Sequence, residues 1–181
     1  YLSANEYIDG QVVVGVGGGT CQASTTLYCA LLRAGLTINE RHPHSLPVKY
    51  VPPSQDATVT NTGADLVFTN NTSGPIYIYT SVNKDKSRAA VAIYGTPIKP
   101  DVRIEIESEY IQQDISTAPK YEEDLAGDYV WYADEVPVLK SQGVLGYKSR
   151  AYRVYYDENT GEELSRELLS TDYYAPTPSV Y

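Results

Sequence analysis

The sequence predicts an α+β protein: an N-terminal domain with one main helix on a mostly antiparallel sheet, followed by an elongated all-β module. Three observations carry this. Only one stretch, residues 20–34, has a helical repeat of apolar residues. Short β-branched and tyrosine-rich runs, separated by Pro and Asn/Gly clusters, fill most of the remainder, and such runs read as strands. A break at Thr96-Pro97-Ile98-Lys99-Pro100 divides the chain, because two prolines in so short a segment make a semi-rigid linker. The predicted units are therefore 1–95, a linker at 96–101, and 102–181.

Taken in order, Asp9-Gly10 signals a turn, and Gln11-Val12-Val13-Val14-Gly15-Val16 after it reads as a buried strand. Gly17-Gly18-Gly19 then leads into the helix. Thr20 is the expected N-cap, and Gly35 follows Arg33 as the C-terminal stop. Cys21, Ser24 or Thr25, and Tyr28 share one helix face, while Leu27, Ala30, Leu31 and Ala34 form a neighbouring stripe that should pack on the sheet. Six strands are expected next, over 37–41, 48–51, 57–59, 66–69, 76–82 and 89–94. In the module, Val102–Glu107 alternates with period two, and Arg150–Tyr156 and Glu162–Thr171 flank the turn Asp157-Glu158-Asn159-Thr160-Gly161. Strands so polar on both faces suggest a spacer or lateral binding surface with a thin core.

Charge narrows the choice of partners. Residues 1–95 hold six basic and six acidic side chains, so the whole net charge of −9 falls on residues 96–181. That second half would repel nucleic acid, which is set aside as a partner. Between residues 11 and 55, Arg33, Arg41 and Lys49 stand against Glu40 alone, a basic island suited to a substrate that carries carboxylates. With 18 Tyr against one Phe and one Trp, the strands should present wet, partly exposed faces. The chain opens at Tyr1 with no leader or membrane-spanning run, and reads as a fragment or processed product whose membrane anchor is not visible.

The chemistry-bearing residues cluster around the glycine run. A thiol at a helix N-terminus meets unpaired amides and the positive end of the helix dipole, both of which favour the thiolate. Cys21 is therefore the candidate nucleophile. The amides from Gly19 to Gln22 are candidate oxyanion donors, and His42 or His44, the only two histidines, is the candidate base. Asp56 could orient the imidazole, and Arg41 and Lys49 could hold a substrate carboxylate. Cys29 lies eight residues from Cys21, roughly 12 Å along one helix, too far for a disulfide; it reads as a small buried hydrophobe. Zinc held by Cys21, His42, His44 and Asp56 is the weaker alternative, since no paired ligand spacing occurs, and no Lys-Ser/Thr follows the glycines to make a nucleotide loop. No metal or cofactor is expected.

Gly17-Gly18-Gly19-Thr20-Cys21-Gln22-Ala23-Ser24-Thr25-Thr26-Leu27-Tyr28, Glu40-Arg41-His42-Pro43-His44-Ser45 and Tyr50-Val51-Pro52-Pro53 with Asp56-Ala57-Thr58 together resemble the VanW domain of Gram-positive surface proteins, over about Tyr1 to Gly95. Residues 102–181 resemble the five-glycine cell-wall module that often follows it. Gly127, Gly143, Gly146 and Gly161 sit at matching places, and the last glycine would lie just past Tyr181. Family members usually carry more sequence on the N-terminal side, so part of that domain is expected to be missing here. The resemblance implies an extracytoplasmic peptidoglycan L,D-transpeptidase that forms 3-3 cross-links through a thioester on Cys21, with a carboxypeptidase side activity. It implies stem peptides as partners, with wall glycan beside them, and it points to His44 as the base because His44 fills the more constant place. The family commonly has Gly-Arg before the aspartate, where this chain has Ser54-Gln55. The competing reading is a non-catalytic cell-wall-binding protein in which the Gly-Cys block is a structural corner.

Overall fold

The structure, a computed structural model, describes residues 3–8, 11–85, 88–132 and 135–181, with side-chain surroundings from residue 17 onward. The expected turn at Asp9-Gly10 and the burial of the strand after it lie outside the described residues. One helix and nine strands are described, and all strand pairs are antiparallel. Strand β1 (Ser3–Ile8) pairs with β2 (Gln11–Val16), after which helix α1 (Thr20–Arg33) begins. Strand β3 (Thr37–Glu40) pairs with β4 (Val67–Thr69), and β5 (Tyr77–Asn83) with β6 (Arg88–Tyr94). The C-terminal half forms one three-stranded sheet in the order β7 (Val102–Ile115), β8 (Gly146–Asp157), β9 (Glu163–Tyr174).

The expected continuous sheet beneath the helix is replaced by separate two-stranded ladders. Helix α1 lies against β6, β3 and β7. Tyr28 and Leu32 of α1 and Ala57 form the buried cluster, and Ile38, Leu66, Ile106 and Leu169 pack against it. Ile106 is on β7 and Leu169 on β9, so the C-terminal sheet covers the helix face of Tyr28 and Leu32, while Leu27, Ala30 and Ala34 of the expected stripe stay only partly buried. Each buried aliphatic side chain of this kind contributes about 1.5–3 kcal/mol relative to exposure.

Two strands expected between residues 41 and 60 are absent. Pro43, Pro47, Pro52 and Pro53 remove ladder donors from that segment, and its backbone is held by side chains instead. Ser24 Oγ donates to Ala57 O at 2.6 Å, and Ala57 N donates to Thr25 Oγ1 at 3.0 Å. Thr58 N reaches His42 O at 2.8 Å as an isolated bridge. The helix face carrying Ser24 and Thr25 thus grips the loop that carries Asp56.

The C-terminal strands run further than the alternation indicated. β7 extends to Ile115, β8 starts at Gly146 and β9 ends at Tyr174. The β8–β9 turn follows expectation: Asp157 Oδ1 accepts from the amides of Asn159 and Thr160, both at 2.8 Å, and Gly161 takes φ 74°. At the other end of β8, a Cβ on Gly146 would collide with the carbonyl of Tyr174. Only glycine lets the end of β9 approach there. Among the described residues, no helix is long and apolar enough to cross a membrane.

Candidate functional site

The helix entry is built by glycines. Gly17 and Gly19 take φ 110° and 89°, the left-handed region that L side chains disfavour. Gly19, and not Thr20, is the N-cap; Thr20 is the first helical residue and its hydroxyl donates to Gly17 O at 2.5 Å. Thr20 N also donates to Gly17 O, and Ala23 N to Gly19 O. By position, the amides of Cys21 and Gln22 precede the helix's own hydrogen-bond ladder and form the positive end of its dipole. The Gln22 side chain is exposed.

Cys21 Sγ lies 3.2 Å from Thr58 Oγ1 and 3.5 Å from Val59 O. The His44 ring interacts with the thiol and is the main cause that lowers its pKa from 9.0 to about 7, against the opposing effect of burial; Thr58 assists. Cys29 lacks this help. Burial pushes its thiol up, and Sγ donates to Gln55 O at 3.3 Å.

His44 is held twice by one carboxylate oxygen. Its amide donates to Asp56 Oδ2 at 2.7 Å and Nδ1 meets the same oxygen at 2.6 Å, which leaves Nε2 for the thiol. Burial disfavours the imidazolium, but Asp56 and Cys21 outweigh it and raise the His44 pKa from 6.5 to about 9. The lowering at Cys21 and the raising at His44 both favour a thiolate–imidazolium pair. The Tyr50 hydroxyl sits at the long distance of 3.5 Å from Nε2, with its ring edge-on to the imidazole.

Asp56 is fully buried, and burial alone would raise its pKa; His44, Tyr174, the His44 amide and Arg41 together hold it below its ordinary value. Its second oxygen, Oδ1, accepts from Arg41 Nη2 at 2.9 Å and from the Tyr174 hydroxyl. Arg41 also donates through Nε to Asp56 O at 2.6 Å and through Nη1 to Asp172 Oδ1 at 2.7 Å, and stacks over the Tyr28 ring. Its side chain is only 7% exposed, and two protein carboxylates occupy the guanidinium that was expected to hold a substrate carboxylate.

His42 points elsewhere. It pairs with Glu40 at 3.0 Å and is half-exposed, contributing to the site through its backbone carbonyl. Lys49 is exposed, and among the described residues no hydrogen bond or ion pair links it to Cys21, His44 or Asp56. Among the described residues no group of three or more His, Cys, Asp or Glu side chains is disposed to hold a metal ion.

Ser54 takes φ 61° while fully buried, the backbone state that favours glycine. Its amide donates to Tyr174 Oη at 3.1 Å and its hydroxyl pairs with Ser149 Oγ at 2.8 Å. Beside it Gln55 Nε2 donates to Ser108 Oγ at 2.9 Å. Thr58, Asp172 and Tyr174 are site residues that sequence reasoning missed. Thr58 had a signal, its place two residues after Asp56. Asp172 and Tyr174, more than a hundred residues away, had none.

Comparison with known proteins agrees with the N-terminal blocks. Residues 1–94, just over half of the chain, match the family described as VanW like protein. A protein of Bacillus subtilis (strain 168), "Uncharacterized protein YoaR", is 49% identical over 78 residues, which covers 43% of this chain and 26% of that protein. Among solved structures, the IgA1 protease G5 domain is similar at 28% identity and TM-score 0.29, over 48% of this chain and 92% of its own. The structure of HP0197-G5 is similar at 16% identity and TM-score 0.23, over 44% and 92%. By the match over residues 1–94, this chain belongs to the VanW-like protein family.

Proposed function

We propose that this protein is a cysteine L,D-transpeptidase of the cell wall, with Cys21 as nucleophile, His44 as general base and acid, and Asp56 as the residue that orients His44. Family membership supports a cell-wall-associated, extracytoplasmic protein. The observation that carries the catalytic reading is geometric: an imidazole whose Nδ1 is fixed at 2.6 Å by a buried carboxylate, and a thiol at the entry of α1 whose pKa that imidazole lowers.

The Cys21 thiolate attacks the carbonyl carbon of the third residue of a stem tetrapeptide, forming a C–S bond and a tetrahedral oxyanion. The Cys21 and Gln22 amides at the helix entry, which precede the helix's own hydrogen-bond ladder, are the donors in this reading for that oxyanion. Collapse breaks the C–N bond to the terminal D-alanine, whose amine takes the His44 proton. An amine from a neighbouring stem then attacks the thioester and gives its proton to His44. The Cys21 thiolate leaves, and a 3-3 cross-link remains. Water in place of the amine yields a tripeptide, the carboxypeptidase side activity.

A wall-binding role has its own support in the C-terminal module, where Tyr121, Trp131 and Tyr132 are strongly exposed and suit contact with wall glycan. Incubation with muropeptides and analysis of products by mass spectrometry separates the readings. Dimers linked 3-3 or tripeptide products, lost in Cys21→Ser, are the expected result; unchanged tetrapeptides with wild-type protein and retained binding to wall sacculi would favour the binding role.

A further inference from the structure

Arg41, Asp56 and His44 come from one loop, but the groups that complete their hydrogen bonds come from β9. Asp172 and Tyr174 are both buried on that strand. Asp172 Oδ1 takes Arg41 Nη1 at 2.7 Å, and the Tyr174 hydroxyl donates to Asp56 Oδ1 while accepting from Ser54 N at 3.1 Å. The residue just after the strand ties into the same loop again, with Ala175 N donating to Ser45 O at 2.9 Å. We propose that the C-terminal module completes the acyl-transfer site, with Asp172 and Tyr174 as positioning residues that hold Arg41 and Asp56 in the arrangement His44 requires. The inference rests on the catalytic reading of Cys21, His44 and Asp56.

The two residues act on the pair from opposite directions. Asp172 shares the positive charge of Arg41. Without that carboxylate the guanidinium bears more strongly on Asp56 and disfavours a second positive charge on His44. Tyr174 donates to Asp56, and a carboxylate that loses a donor becomes a stronger acceptor for His44 Nδ1–H. The groups facing this cluster are Cys21, Tyr28 and Cys29 from α1, Arg41, Tyr50 and Asp56 from the loop, Tyr147 from β8, whose ring lies tilted against that of Tyr174 with centroids 4.6 Å apart, and Asp172 and Tyr174 from β9.

With only two histidines in the chain, the imidazole carbons can be titrated by NMR in the full chain, using His42→Gln to assign the resonances. Asp172→Asn is expected to lower the His44 midpoint and Tyr174→Phe to raise it, each by about half a unit or more. A purely structural role gives no such opposite shifts. Unmoved His44 midpoints in both folded variants, shifts of the same sign, or loss of the fold in both would overturn the proposal. Should one substitution prevent folding, the other decides, since Tyr174→Phe keeps the packed ring and removes only the hydroxyl. Iodoacetamide labelling of the wild type keeps the two readings apart: if Cys21 is no more reactive than Cys29, the acyl-transfer reading itself fails, whereas a reactive Cys21 with unmoved His44 midpoints removes only the role of β9.

Discussion

Two cysteines on one helix are placed in opposite environments. Cys21 sits at the helix entry beside His44, and Cys29 two turns on faces the Gln55 carbonyl with its pKa pushed up by burial. Iodoacetamide at pH 7 should therefore label Cys21 much faster than Cys29, and the Cys21 rate should rise through an inflection at about 7. His44→Ala removes the main cause of the lowered pKa and should move the inflection towards 9.0, with a fall in the rate at pH 7 of about ten-fold or more; peptide mapping across a pH series checks both. Ser54 offers a test of a buried hydroxyl pair at the same scale. In Ser54→Ala the φ of 61° remains while the pairing with Ser149 is lost, so a loss of about 1–3 kcal/mol is expected in urea titration.

At the scale of elements, the loop from Arg41 to Thr60 and the strand β9 decide the site. Gly146 is what allows β9 to end where it does, because a Cβ there would meet the Tyr174 carbonyl. Gly146→Ala should push the strand end away, with a cost on the order of 1–3 kcal/mol for overpacking and slower labelling of Cys21; thermal melting and the same alkylation assay measure the two effects. Legibility of the elements followed the range of their causes. The helix was readable from its own periodicity and the glycines before it. The Cys21, His44 and Asp56 blocks were readable because each is a short local motif. Residues 48–51 and 57–59 looked like strands because Val and Thr favour them, but prolines interrupt the segment and the Ala57 backbone is held by the hydroxyls of Ser24 and Thr25, which no local pattern reveals. Arg41 was expected to face a substrate because the basic island was counted without Asp172, which arrives from 131 residues away.

Across the whole molecule, the candidate site is a joint between the two halves of the chain. The apolar cluster of Tyr28, Leu32 and Ala57 packs on Ile106 and Leu169 from the C-terminal sheet, and Asp56 is bonded to His44 and Arg41 on one side and Tyr174 on the other. Unfolding should accordingly be one cooperative transition in calorimetry, with no separate melting of the C-terminal sheet. Asp56 also contributes to stability on the acid side. Its folded pKa lies below the ordinary 3.8, so its contribution is fully present above that value and is lost as pH falls through the depressed one. Asp56→Asn should remove that part of the acid limb of a stability–pH curve. The most direct measurement of the catalytic claim is intact-protein mass spectrometry of the full chain after brief exposure to stem tetrapeptides. The expected result is release of D-alanine with a tripeptide acyl group on Cys21, mapped by proteolysis, reversed by hydroxylamine and missing in Cys21→Ser. An unmodified protein and intact tetrapeptide, from a preparation in which Cys21 is rapidly alkylated, would contradict it.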